Sequence, residues 1–269
     1  MGKIIFVTII VFCLIATGCT GLTTYAGSET VTFEGKTIRD KKLTLTGLLM
    51  KPKGDGPFPA VILLHGCSGM YSEHAGNTYN TWASRLVSWG YVTLRVDSLG
   101  PRNKTSICNN PFSILPFERG LDAYAGKSYM ENQPYVDDKR IAVMGWSHGG
   151  WTTLYTVDNN RMNGIGTGPF NASIAFYPYC ELPLIHLNAP LLILIGEEDD
   201  WTPAFMCENM KLTPAATDKF ILKVYPNAYH GFDLKGVDIE VEGHKIKYDP
   251  AATENAIVQV KNFLLKHLQ

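Results

Sequence analysis

The sequence predicts an α/β fold in a single domain over residues 41–269. Apolar runs at residues 59–64, 91–97 and 189–196 have the continuous hydrophobicity of strands that are buried on both faces. Between the first two runs, residues 76–89 have the spacing of a helix with one apolar face. No linker rich in proline, glycine or serine interrupts this alternation, so we expect one domain.

The composition is that of a folded globular protein. Hydrophobic residues make up 45% of the chain, charged residues make up 18%, and the formal net charge is −1. Because no basic excess is present, we expect no nucleic-acid partner. The spacings C-x-x-C and H-x-x-x-H are absent from the sequence, so we expect no metal and no cofactor.

The N-terminus has the features of an export signal. Residues 1–18 combine a short basic start, an apolar stretch too short for a comfortable membrane span, and small residues at the end. Residues 16–19 resemble a bacterial lipobox, in which Cys19 would be lipidated and would anchor the protein to a membrane. Ala16 replaces the preferred leucine, so cleavage without lipid is the alternative. We expect a periplasmic protein or a membrane-anchored bacterial lipoprotein, with residues 19–40 as an N-terminal tether or edge.

Export changes what the cysteines of the domain imply. An oxidising compartment favours disulfides, and the four cysteines of the domain allow three connectivities. We favour Cys180 with Cys207, because they follow consecutive strands, and therefore Cys67 with Cys108. Four unpaired thiols are the alternative.

Three other segments complete the predicted domain. Residues 42–50 partly alternate between polar and apolar side chains, as an antiparallel edge strand would. Residues 98–116 form a long stretch rich in glycine, proline and asparagine, and a loop of that length in a compact domain is usually functional or mobile. We therefore expect residues 98–116 at the mouth of a substrate pocket, and a final helix over residues 250–268.

The sequence Gly-Trp-Ser-His-Gly at residues 145–149 directly follows an apolar strand at residues 140–144. A serine between two glycines, where a strand turns sharply into a helix, is the arrangement of a nucleophile elbow. The elbow exposes the hydroxyl to a base and to a helix N-terminus. Ser147 is therefore our candidate nucleophile, and a purely structural turn is the alternative.

An elbow serine needs an acid and then a histidine, each on a loop after a later strand. Asp199 follows the strand at residues 189–196 and is our candidate acid. His230 follows a strand at residues 219–225 and is our candidate base. The competing acids are Glu198 and Asp200. The other histidines are interpreted as structural, loop or site-lining residues: His65, His74, His148, His186, His244 and His267.

Binding residues are predicted from their position beside these loops. The backbone N–H groups of Cys67 and His148 are our candidates for an oxyanion hole. Arg102 is a candidate for bidentate binding of a substrate carboxylate. Further candidates for substrate contact are Trp146, Tyr179 and Trp201, although core packing explains aromatic residues beside strands equally well.

With these residues the chain resembles the α/β-hydrolase superfamily and, within it, the dienelactone hydrolase family. The resemblance spans roughly residues 43–268 and rests on four motifs. They are His65-Gly66, the elbow, Gly196-x-x-Asp199-x-x-x-Pro203 and His230-Gly231-Phe232. The resemblance implies a mostly parallel sheet of about eight strands with helices on both faces. The founding members carry cysteine where this chain has Ser147, which favours a more general ester hydrolase.

The expected function is that of an exported serine hydrolase which cleaves a small carboxylic ester or lactone through an acyl-enzyme. Two alternatives stay open. One is a peptidase or acyltransferase of the same fold, because selection lies in the pocket. The other is a catalytically silent surface lipoprotein that binds a ligand or partner.

Overall fold

The computed structural model describes residues 27–162, 164–165, 168–181, 186–210 and 214–268. The predicted export signal and Cys19 lie outside these residues. Within these residues, no helix combines the length and the apolar character that a membrane span requires. The strands are β1 (Glu29–Lys36), β2 (Lys42–Met50), β3 (Phe58–Leu64), β4 (Val92–Asp97), β5 (Val136–Trp146), β6 (Ala172–Phe176), β7 (Leu191–Gly196), β8 (Phe220–Tyr225), β9 (Asp238–Val241) and β10 (His244–Lys247). The helices are α1 (Gly76–Ser88), α2 (Pro116–Glu131), α3 (His148–Thr156), α4 (Asn159–Met162), α5 (Ala204–Glu208), α6 (Pro214–Thr217) and α7 (Pro250–His267).

The central sheet has eight strands in the order β1-β2-β4-β3-β5-β6-β7-β8. Strands β3 to β8 are mutually parallel, whereas β1 and β2 are antiparallel to their neighbours. The predicted α/β class and mostly parallel sheet are therefore confirmed. The predicted edge position of β2 is wrong, because β1 pairs along its outer side. Strands β9 and β10 form a separate hairpin.

Both faces of the sheet are buried, as the continuous apolar runs predicted. Along β3, Val61 and Leu63 pack on one side with α1 and α7. Ala60, Ile62 and Leu64 pack on the other side with α2. Because successive side chains of a strand point to opposite faces, burial on both sides requires an unbroken apolar run.

Two of the elements that were not predicted from the sequence lie beside the elbow or carry a residue that contacts it. Helix α2 begins at Pro116, directly after the long loop, and its proline occupies the first turn, where no N–H is needed. Strand β6 has only five residues, and periodicity cannot distinguish so short an apolar run from part of a helix. Both elements matter for function, because α2 carries Arg119 and β6 ends beside the elbow.

Candidate active site

The elbow serine lies between the end of β5 and the start of α3. Ser147 has φ 53° and ψ −117°, a backbone conformation that residues other than glycine rarely adopt. A Cβ atom at Gly145 would collide with the carbonyl oxygen of Gly149, and one at Gly149 would collide with that of Leu64. The two glycines therefore let the turn pack tightly against α3 and β3, as the predicted elbow requires.

The three residues predicted as nucleophile, base and acid lie in contact. His230 Nε2 is 3.0 Å from Ser147 Oγ, and His230 Nδ1 is 2.8 Å from Asp199 Oδ2. His230 and Asp199 are both buried, at 4% and 3% exposure. The imidazole therefore bridges the hydroxyl and a carboxylate that bulk water does not reach.

Asp199, rather than its neighbour Asp200, faces the histidine. Its carboxylate also accepts hydrogen bonds from the backbone N–H groups of Trp201 and Thr202, at 3.0 and 2.8 Å, and from the Thr202 hydroxyl at 2.9 Å. Asp200 points away, with its Oδ1 3.5 Å from Nδ1 of His244 and a half-exposed side chain. These local donors hold the Asp199 carboxylate in one orientation.

The two residues predicted to supply oxyanion-hole N–H groups, Cys67 and His148, lie beside the elbow serine. Both line the cavity that Ser147 also lines. The Cys67 segment is held by a disulfide to Cys108 and by a 2.8 Å hydrogen bond from Ile107 N–H to Cys67 O. The second disulfide joins Cys180 to Cys207, so the pairing in the structure is the one favoured from the sequence.

A buried arginine, Arg119, is hydrogen-bonded to both segments, the one before Cys67 and the one that contains His148. The sequence analysis did not predict this residue. Arg119 has no exposed surface. It donates from Nη1 to His148 Nδ1 at 2.8 Å and from Nη2 to His65 O at 2.6 Å. Burial lowers the pKa of Arg119 to about 10, so the guanidinium keeps its charge at neutral pH.

His148 is consequently neutral and fixed in one tautomer. Its Nδ1 accepts from Arg119, so its Nε2 carries the proton and donates to Pro111 O at 2.8 Å. Burial and the Arg119 charge lower the pKa of His148 to about 3. The ring thus connects the elbow to the loop at residues 98–116.

Arg102 does not reach the site. Its Nη1 and Nη2 atoms each lie 2.9 Å from the carboxylate of Asp122, and Nη1 also donates to Ser98 O at 2.7 Å. Its Nε lies 3.4 Å from Glu118. The guanidinium is therefore engaged within the protein, and Arg102 lines neither cavity at Ser147.

A cavity of about 190 Å³ opens on one side of Ser147. It is lined by Tyr179 and Trp201, two of the aromatic residues predicted to contact substrate, and also by Phe112 and Trp151. Trp146 does not join them. Its ring is 1% exposed within the core, and its indole N–H donates to Asp233 at 3.0 Å.

A second cavity of about 80 Å³ opens on the His230 side of Ser147. The β9–β10 hairpin contributes Ile239, Val241 and Ile246 to its wall. Among the described residues, neither cavity is lined by a lysine, arginine, aspartate or glutamate. The surroundings of Ser147 therefore suit uncharged groups.

The sequence matches the model of the dienelactone hydrolase family over residues 45–268, which include the elbow, Asp199 and His230. The chain belongs to the dienelactone hydrolase family. The esterase FrsA of Klebsiella pneumoniae is 32% identical over 107 residues, which are 39% of this chain and 23% of that esterase. The match thus spans about a quarter of the length of that curated relative.

Solved structures of other proteins share the fold of the present chain. Esterase 2 of Thermogutta terrifontis, phosphoramylated by tabun, aligns with a TM-score of 0.64 and 17% identity over 90% of this chain and 95% of its own. Dipeptidyl peptidase 4 of Porphyromonas gingivalis aligns with a TM-score of 0.61 and 20% identity over 91% of this chain and 36% of its own. At these identities the likeness establishes the fold alone.

The present protein also has a buried carboxylate, that of Asp233, close to His230. The sequence analysis did not predict a role for this residue. Asp233 accepts hydrogen bonds from the indoles of Trp82 and Trp146, at 2.8 and 3.0 Å, and from the Tyr177 hydroxyl at 2.7 Å. Burial raises the pKa of Asp233. The Tyr177 ring lies 4.6 Å from the His230 ring, so Asp233 orders the wall against which the imidazole packs. The sequence signal was an acid three positions after His230.

Proposed function

We propose that this protein is a serine hydrolase which cleaves uncharged carboxylic esters or lactones. Ser147 is the nucleophile, His230 is the general base and acid, and Asp199 orients the histidine. The observation that carries the proposal is the position of the His230 ring, 3.0 Å from the Ser147 hydroxyl and 2.8 Å from the Asp199 carboxylate. This geometry is within the reach that proton transfer needs.

In the first half of the reaction, Ser147 Oγ attacks the carbonyl carbon while His230 Nε2 takes the hydroxyl proton. The carbonyl oxygen becomes an oxyanion and accepts hydrogen bonds from the N–H groups of Cys67 and His148. Asp199 accepts a hydrogen bond from the Nδ1–H group of His230, which holds the tautomer and stabilises the imidazolium. When the intermediate collapses, the ester C–O bond breaks and the leaving alkoxide takes the proton from Nε2.

In the second half, water attacks the acyl group on Ser147 and gives a proton to His230. The second oxyanion accepts hydrogen bonds from the same two N–H groups. Collapse breaks the bond to Ser147 Oγ, which recovers its proton from His230, and the carboxylic acid leaves. No group outside the chain and water is required for this cycle.

The absence of charged side chains from the described cavity walls favours an uncharged substrate over an acidic lactone. A carboxylate moved out of water without a partner loses several kcal/mol of hydration. Arg102, the cation predicted to receive such a group, is bound to Asp122 instead. We therefore place neutral esters ahead of substrates that carry a free carboxylate.

We also propose that the protein is exported. The two disulfides support this, because such bonds persist in oxidising compartments. The signal features of residues 1–18 point the same way. Lipidation of Cys19, and with it a membrane anchor, rests on the lipobox resemblance alone.

The decisive experiment measures hydrolysis of p-nitrophenyl acetate, butyrate and octanoate by the purified chain without residues 1–18. Ser147→Ala is expected to reduce turnover to background, and a fluorophosphonate is expected to label Ser147 of the parent protein. Folded protein that neither turns over esters nor reacts with the probe would favour the silent ligand-binding alternative. Faster cleavage of peptide p-nitroanilides than of esters would make it a peptidase, and transfer to added alcohols in preference to water would make it an acyltransferase.

A further inference from the structure

The two cavities that meet at Ser147 differ in the reacting groups that line them. His148, one of the two proposed oxyanion donors, lines only the larger cavity, and His230 lines only the smaller one. Ser147 and Cys67, the other proposed donor, line both cavities. If the proposed function holds, this difference determines which cavity receives the acyl group of an ester and which receives its alcohol.

The position of the general acid decides which end lies where. The leaving oxygen must receive its proton from His230 Nε2, so it must come within about 3 Å of that atom. The alcohol attached to that oxygen therefore projects into the smaller cavity. The oxyanion points to the N–H groups of Cys67 and His148, and the remaining substituent of the carbonyl carbon, the acyl group, is directed into the larger cavity.

The larger cavity has the size and the walls for an aromatic ring. Phe112 and Tyr179 each meet Trp151 edge to face, with interplanar angles of 84° and 82° and centroid distances of 5.6 and 5.3 Å. Aromatic rings favour such edge-to-face contacts. An apolar protein cavity of about 150 Å³ holds benzene, so about 190 Å³ accommodates a phenyl group.

The smaller cavity suits a small, uncharged alcohol. Its volume of about 80 Å³ is less than half that of its neighbour. Ile239 and Ile246 supply an apolar side, and Ser72 and His74 supply polar atoms. We propose that the enzyme prefers esters of phenyl-sized uncharged carboxylic acids with small alcohols, with the acyl group against Phe112 and Tyr179 and the alcohol against Ile239.

Separating acylation from deacylation tests this assignment, because the alcohol has already left when the acyl-enzyme is hydrolysed. Acid release from methyl phenylacetate and methyl acetate compares the two acyl groups on one small alcohol, and stopped-flow measurements with 4-nitrophenyl phenylacetate resolve the later hydrolysis of the acyl-enzyme. The parent protein is expected to prefer the phenylacetyl ester in kcat/KM. Phe112→Ala is expected to reduce that preference about tenfold and to change the deacylation rate of the phenylacetyl-enzyme. Phe205→Ala is the matched control, because Phe112 and Phe205 are both 59% exposed and Phe205 lines neither cavity.

The variant Ile239→Ala examines the other end. It is expected to leave deacylation of the phenylacetyl-enzyme unchanged and to raise the acylation rate of the 4-nitrophenyl ester relative to the methyl ester, because a shorter side chain enlarges the alcohol cavity. The reverse pattern, or no preference for phenylacetyl over acetyl, would overturn the assignment, while fluorophosphonate labelling of Ser147 would still support the proposed function. Folded protein with neither ester turnover nor labelling of Ser147 would overturn the proposed function and this inference together.

Discussion

Arg119 donates a 2.8 Å hydrogen bond to Nδ1 of His148, the residue directly after the elbow serine. The same guanidinium donates to His65 O, two residues before Cys67. A single buried cation therefore holds both segments whose N–H groups we propose as the oxyanion hole. We interpret Arg119 as a positioning residue, since it lines neither cavity.

Replacing Arg119 by glutamine is expected to lower kcat by roughly ten- to a hundredfold with little change in KM, because the misplaced N–H groups act in the transition state. The matched control is Arg102→Gln, which breaks a buried ion pair at an arginine that makes no direct hydrogen bond to His65 or His148. Its midpoint of thermal unfolding should fall at least as far, since it leaves the buried Asp122 charge unpaired. Its kcat should stay within a few fold of the parent value, and equal losses of kcat in the two variants would contradict the positioning role.

Asp199→Asn should lower kcat by roughly 10⁴-fold, because an amide in that place favours the wrong imidazole tautomer. Asp200→Asn should lower kcat by less than about fivefold, since its half-exposed carboxylate faces His244 instead. Ester hydrolysis by the two purified variants compares the neighbours directly. Equal losses would remove Asp199 from the acid role.

The two disulfides should contribute similarly to stability and differently to activity. They close segments with sequence separations of 41 and 27, for which chain entropy gives roughly 4 kcal/mol each. Cys67→Ala/Cys108→Ala should also lower kcat, because it frees the segment that carries the Cys67 N–H and the loop that carries Phe112. Cys180→Ala/Cys207→Ala should lower the free energy of unfolding by a similar amount and should lower kcat less than the first variant does, as measured in urea and in the ester assay. A larger loss of kcat in that second variant would argue against the role of the first disulfide.

The buried histidine His148 should make the folded state less stable as the pH falls. Its folded pKa of about 3 lies below the unfolded value near 6.5. Between these values the unfolded chain binds a proton that the folded chain does not. His148 therefore costs the folded state no stability above about pH 6.5, and the free energy of unfolding declines as the pH falls below that value. The slope from this histidine is up to about 1.4 kcal/mol per pH unit.

His148→Gln provides the measurement, because the amide can accept from Arg119 and donate to Pro111 without titrating. Urea unfolding from pH 7 to pH 4 should show a smaller loss of stability in this variant than in the parent protein. Part of the slope should persist, since burial also lowers the pKa of His65. Identical slopes in parent and variant would show that His148 is not the titrating group.

The sequence by itself determined the parts of this protein that short-range constraints control. The unbroken apolar runs predicted buried strands, since both faces of β3 must be covered. The glycines around Ser147 predicted the elbow, because any larger residue would collide with the backbone of α3 or β3. Asp199 and His230 were predicted from their positions just after strands, where parallel strands bring their carboxyl ends to one edge. The preference for Asp199 over Glu198 and Asp200 came from the family resemblance, through its spacing to Pro203.

Only the tertiary structure decided which charged and aromatic side chains face that edge. Arg102 and Arg119 are both arginines near the same loop, yet one binds Asp122 and the other binds His65 and His148, which lie 54 and 29 positions away in the sequence. Trp146 ends β5 and Tyr179 follows β6, yet the first enters the core and the second lines the cavity. These outcomes depend on which distant donor and acceptor meet when the chain is folded, and local spacing carries no record of such pairs.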